Sequence, residues 1–341
     1  MMSTVPILID VAVGPAAPDA TASESGARSA AGAAASTIEA GELVSIESAA
    51  RIAAAAQQAG VAALRILDSA GGRRALDPSI AAAYLAGQAG DIGYLVDIAT
   101  THNAPYNVAR RVLSFDRATG GRAGLVLRPG DGDEVSDAVT PRSPSLPPGR
   151  RWAEYAEVLA RLWESFPRAA LLGDRERARV VDPALIAGID HEGRGYRVAG
   201  PLDGPSSVQG RPLVVAADTD LVGWDVAARS ADAVIVAGTA VSGAGRALAA
   251  ALERVGRRRG EVALIGRAPV TVRDARDGRA ALSRLVDWAH AYDLDAVELS
   301  PTGGARGVLA AAEAVATVRS ARRAPTLRAA LGLQPVAAVL R

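Results

Sequence analysis

The segment Ile92–Arg128, IGYLVDIATTHNAPYNVARRVLSFDRATGGRAGLVLR, holds the unit from which the chain is built. Ile92 to Ala99 is a short apolar run of strand length. Pro105 to Phe115 spaces its apolar residues at helical intervals behind a proline suited to a first helical turn, and Ala123 to Arg128 is a second apolar run. Gly120 and Gly121 mark a tight turn ahead of that second strand. Strand, helix and strand in this order form a βαβ unit, the signature of a parallel sheet.

The alternation extends in both directions. Strands are expected at Val5–Val13, Val61–Leu67, Leu213–Ala216, Ala233–Val236, Val262–Val272 and Ala296–Leu299. Helices are expected at Leu43–Gln58, Pro78–Ala89, Trp152–Ser165, Val222–Arg229, Ala244–Arg258, Arg279–Ala291 and Ala305–Ser320. Eight strands, each followed by a helix, predict one α/β domain over residues 1–341, a (β/α)8 TIM barrel of ~250 residues with insertions. An open doubly wound sheet is the rival, but no glycine fingerprint follows the first strand, which weakens its dinucleotide-binding version. Three stretches stand outside the repeat: a low-complexity Ala/Ser/Gly loop over 14–41, a proline- and acid-rich loop over 129–150 that excludes a regular element, and an insertion over 182–212 carrying a small hairpin.

The 38 basic and 37 acidic residues nearly cancel, so no field of one sign favours nucleic acid or an anionic membrane. Every basic residue is arginine, which excludes Schiff-base and P-loop lysine chemistry. The absence of cysteine excludes disulfides and thiolate catalysis. His191 and His290 lack a second ligand at metal-site spacing, so no metal site is expected. Neither a signal segment nor a membrane span is legible, and a cytoplasmic protein handling a small molecule is the expectation.

In a barrel, ligand-binding groups follow the strands at their carboxyl ends. The candidates are Asp68 and Ser69, Thr100 to Asn103, Arg128, Asp218 and Asp220, Arg273, and Ser300 to Thr302. Thr101, His102 and Asn103 offer hydroxyl, imidazole and amide groups suited to a heterocycle edge, and His102 is a weak catalytic candidate. The alternative is that Thr101 or Asn103 caps the helix at Pro105 while His102 packs. Asp68 is equally suited to a turn. Arg110 and Arg111 read as solvated or paired with neighbours such as Asp116.

Four motifs carry a resemblance: Leu67-Asp68-Ser69, Thr100 to Arg122, Tyr155 to Ser165, and IDHEGRGYRVAGPL with QGRP. They resemble, in order, segments of the bacterial luciferase-like, flavin-dependent monooxygenases, in the nitrilotriacetate and dibenzothiophene-sulfone monooxygenase branch. The resemblance implies a (β/α)8 barrel, reduced FMN from a separate flavin reductase, molecular oxygen, a small organic substrate and an oligomer. It aligns Asp68 and Thr101 with flavin-contacting positions, with His102 beside them and Arg128 as a substitute phosphate contact. This chain departs from the pattern at Val126, where the family has a flavin-facing Asn, and at Asp218 and Asp220, where it has a small-residue phosphate loop whose replacement by carboxylates suits helix capping. The family's insertions are also shortened. These departures from the FMN-binding pattern motivate an alternative: a barrel that no longer binds flavin and serves as a structural or regulatory partner to an active paralogue.

Overall fold

The computed structural model describes residues 5–15, 42–130, 146–318 and 323–336. The low-complexity stretch over 16–41 and the proline-rich stretch over 131–145 lie outside the described residues, as do Arg319 and Ser320 of the expected last long helix.

Eight parallel strands close into a barrel: β1 Ile7–Ala12, β2 Ala63–Leu67, β3 Gly93–Ala99, β4 Ala123–Arg128, β5 Leu213–Ala216, β6 Ala233–Ala237, β7 Ala263–Val270 and β8 Ala296–Pro301. Each strand pairs with its sequence neighbours, and β1 also pairs with β8, Ile9 opposite Leu299, which excludes the open sheet. The main helices are α1 Ile46–Ala59, α2 Pro78–Ala86, α3 Pro105–Ala118, α4 Pro148–Glu164, α5 Thr219–Val222, α6 Trp224–Ser230, α7 Ala244–Val255, α8 Ala275–Ala291, α9 Gly304–Val315 and α10 Leu327–Ala330. No helix of the described residues is long and apolar enough to cross a membrane.

Helix boundaries follow local chemistry. Ser45 caps α1 by accepting from the Ser48 amide, and Gly60 ends it in the left-handed conformation that glycine adopts freely. Helix α4 starts at Pro148, inside the stretch expected to be irregular. A proline in the first turn lacks only an N–H that has no helical partner anyway. Its Trp152, Tyr155, Leu159, Leu162 and Trp163 share one buried face, and the two indole N–H groups donate to Leu127 O at 2.7 Å and Ala109 O at 2.9 Å.

The amino end of the barrel is sealed by α10, whose Leu327, with Leu331 just past the helix, joins Leu8, Leu95 and Leu213 in the inner core. Asp232 ties this seal together. Fully buried, it accepts from Arg211, Arg328 and the Val214 amide, and the two guanidiniums overcome burial to hold its carboxyl below the usual range. Asp116 is buried rather than paired with Arg110 or Arg111. It accepts from the Ala123 amide and Gln209, while Arg110 pairs with Asp203 and Arg111 approaches Asp77. The insertion carries the expected hairpin, His191–Glu192 with Arg197–Val198. A second hairpin, Leu171–Asp174 with Arg179–Val181, precedes it; exposed on most positions, it has no buried face for a sequence pattern to reveal.

Candidate active site

Side chains alternate across a strand, so every second residue faces the barrel axis. Leu8, Ala63, Leu95, Val126, Ile265 and Ala296 form part of the apolar inner layer. Two residues further along the same six strands stand Asp10, Arg65, Asp97, Arg128, Arg267 and Glu298. The carboxyl half of the barrel is therefore a belt of charge on an apolar base.

The belt is tightly connected. Arg65 Nε meets Asp97 Oδ1 at 2.7 Å and its Nη1 meets Glu298 Oε1 at 2.9 Å. Arg267 Nη2 meets Asp10 at 2.6 Å and its Nε meets Glu298 at 3.1 Å. Burial pushes the Asp10 and Glu298 carboxyls up against the opposing pull of the arginines. Burial pulls the Arg65 guanidinium down, but Asp97 and Glu298 outweigh it and hold the group above its ordinary value. Glu298 Oε2 is buried without a hydrogen-bond partner among the described residues, the one loose end of the belt on the Glu298 side.

Above the belt opens a cleft of about 500 Å3 at the carboxyl ends of the strands. Leu67, Ala217, Ile235 and Pro269 give it apolar walls. Arg65, Arg267 and Ser300 reach it from the belt, and Ser69, Thr219, Thr239, Asp218 and Asp220 stand along its edge.

Of the residues singled out from the sequence, the structure brings Asp68, Arg128, Asp218 and Asp220 to this mouth. Arg128 lies 3.4 Å from Asp68, 3.8 Å from Asp97 and 3.5 Å from Asp218, bracing three strand ends with one guanidinium. Thr101 is buried, its hydroxyl beneath Gly130, and neither it nor the exposed His102 borders the cleft. Neither Thr101 nor Asn103 caps α3, whose cap position is Ala104. The Asn103 amide donates instead to Ala99 O and Thr101 O. Val126 sits in the apolar layer below Arg128.

The capping role expected for the two aspartates also changes. Asp218 occupies the cap position of α5 but makes no side-chain capping bond, because it turns toward Arg128. Its φ of 57° places it in the left-handed region that favours glycine. Asp218→Gly is expected to raise stability by up to about 1 kcal/mol, since relief of backbone strain outweighs a half-buried ion pair at 3.5 Å. Urea denaturation checks this; a loss of stability would show that the Arg128 contact dominates.

FMN, which the resemblance implies, meets this mouth unevenly. The cleft's volume and apolar walls suit an isoalloxazine ring, and guanidinium and hydroxyl donors lie at its floor. The phosphate does not fit. The polar edge carries Asp218 and Asp220, and the nearby guanidinium of Arg128 is already engaged by three carboxylates.

Residues 19–331 match the family described as luciferase-like monooxygenase. The chain is 34% identical to nitrilotriacetate monooxygenase component A of Aminobacter aminovorans over 169 residues, 48% of this chain but only 37% of that protein's length. It is 31% identical to one of the subunits of pristinamycin IIA synthase from Streptomyces pristinaespiralis over 189 residues, 53% of this chain and 63% of that one. In three dimensions it is similar to EDTA monooxygenase from Chelativorans sp. BNC1, with a TM-score of 0.71 at 19% identity over 98% of this chain and 100% of the other, a likeness of fold.

Proposed function

The chain belongs to the luciferase-like monooxygenase family, and from that membership we propose that it is the barrel component of a two-component, flavin-dependent monooxygenase. A separate flavin reductase supplies reduced flavin, the family's form being FMN, molecular oxygen is the oxidant, and a small organic molecule in the cytoplasm is the substrate. The observation that carries this reading is the cleft of about 500 Å3 with apolar walls, placed where barrel enzymes hold their ligands. The flavin would supply the oxygen chemistry; the chain's own residues would orient the ring and exclude water around it. The name of the Aminobacter relative, a monooxygenase component, supports a multi-component system.

The test is anaerobic titration of the purified protein with reduced and oxidised flavins, followed by fluorescence and calorimetry. Saturable binding is expected. If no flavin binds up to high micromolar concentration, the reading fails.

A second reading has its own support. The Arg128 brace and the rim carboxylates suit a barrel that has given up flavin and works as the partner of a flavin-binding paralogue. The Streptomyces relative, of which the match covers 63%, is by its name one part of a synthase with more than one kind of chain. This reading expects no flavin binding by the isolated chain, and stable association with a flavin-binding barrel. Assembly with itself or with such a paralogue accompanies either reading.

A further inference from the structure

We infer that the barrel mouth selects a flavin that lacks its phosphate, a neutral isoalloxazine ending in a free ribityl hydroxyl, over FMN. The inference rests on the reading that the cleft takes a flavin ring, and it concerns what the polar edge does to the ring's tail.

The cleft is lined by both apolar and charged side chains. Its apolar walls, Leu67, Ala217, Ile235 and Pro269, suit a flat ring system, and the ring's carbonyl and nitrogen acceptors match the donors Arg267 and Ser300. A tail leaving that ring meets the polar edge, where Asp218 and Asp220 stand with the hydroxyls of Ser69, Thr219 and Thr239.

For a phosphate this edge is repellent. Among the described residues, those that line the cleft or pair with its arginines comprise six carboxyl groups, on Asp10, Asp68, Asp97, Asp218, Asp220 and Glu298, and three guanidiniums, on Arg65, Arg128 and Arg267. Arg65 has its Nε and both terminal nitrogens on Asp97 and Glu298. Arg128 stands within 3.8 Å of three carboxylates. A dianion would have to draw Arg128 away from them while adding like charge beside Asp220.

A hydroxyl reverses the chemistry. An ionised carboxylate accepts hydrogen bonds and donates none, so Asp218 and Asp220 can receive O–H donors from a polyhydroxylated chain while repelling a phosphate at its end. The groups that make FMN a poor ligand thus make its dephosphorylated form a good one.

The experiment compares riboflavin with FMN by fluorescence titration and calorimetry on the full chain, at low and high ionic strength. Riboflavin is expected to bind at least about tenfold more tightly than FMN at low salt, with the gap closing as salt screens the edge. In Asp218→Asn with Asp220→Asn, FMN is expected to tighten about tenfold while riboflavin weakens a few-fold, because an amide oxygen is a weaker acceptor than a carboxylate. Asn keeps an acceptor at both places and tolerates the left-handed backbone at residue 218, and a urea curve verifies folding. FMN binding as tightly as riboflavin to the unsubstituted protein overturns the inference and leaves the monooxygenase reading standing. Equal weakening of both ligands in the variant also overturns it. Absence of binding by either flavin removes the monooxygenase reading, and the inference with it.

Discussion

Arg65→Met is expected to lower the unfolding free energy by about 3–5 kcal/mol, because it strands two carboxylates in the barrel interior. The Asp97 and Glu298 side chains have 0% exposure, and Arg65 donates to both. Without it, Glu298 keeps only Arg267, and Asp97 is left with the distant Arg128 at 3.8 Å. The loss should depend on pH with a definite sign. Stranded carboxyls in the folded state hold protons more strongly than in the unfolded chain, so the penalty is full at neutral pH. It shrinks as pH falls toward about 4, where the unfolded carboxyls protonate as well. Urea denaturation at both pH values checks this. A loss below about 1 kcal/mol at neutral pH would mean that water reaches the belt. Adding Asp97→Asn and Glu298→Gln to the same chain should recover much of the loss, since no buried charge is then unmatched.

Asp232→Ala is expected to cost at least about 3 kcal/mol at the opposite end of the barrel. It leaves Arg211 and Arg328 facing each other and removes the acceptor of the Val214 amide. Here too the effect fades in acid, but from the opposite cause. Asp232 is held below the usual carboxylate range, so its contribution is complete above the unfolded pKa and fades as pH falls through the lowered folded value. The gap between the unsubstituted protein and the variant therefore narrows in acid. A gap independent of pH would show that the lost contacts act through packing rather than charge.

The barrel is legible in the sequence because its signal is periodic. Apolar strands such as Leu213–Ala216 and helices such as Pro105–Ala118 repeat at regular intervals, and each must bury one face against the next. The site is harder to read. Asp68, Arg128, Asp218 and Asp220 are accessible to sequence reasoning because they follow strand ends, whereas the belt beneath them is not. Its signal is a single charge set inside an otherwise apolar strand, as in Leu64-Arg65-Ile66, Val96-Asp97-Ile98 and Val297-Glu298-Leu299. One such residue is unremarkable; six at the same height emerge only when the strands are aligned. Thr101 and His102 show the opposite difficulty. They stand at a strand end, but local backbone geometry buries one and turns the other, at φ 60°, outside the cleft. Position after a strand specifies the end of the barrel and not the direction of the side chain.

The join between the first and last strands has a consequence for how the chain reaches its fold. Residues 7–9 pair with 297–299, so the ring closes only through contacts almost as distant in sequence as the described chain allows, and such contacts form late and slowly. Asp10 joins Arg267 and Glu298 only at that closure. A first strand slipped by one residue would turn Asp10 outward among the apolar side chains of the helical layer. The charges at the seam thus act as a key: misregistered closure strands a carboxylate in hydrocarbon, and the correct ring alone lets the final strand lock.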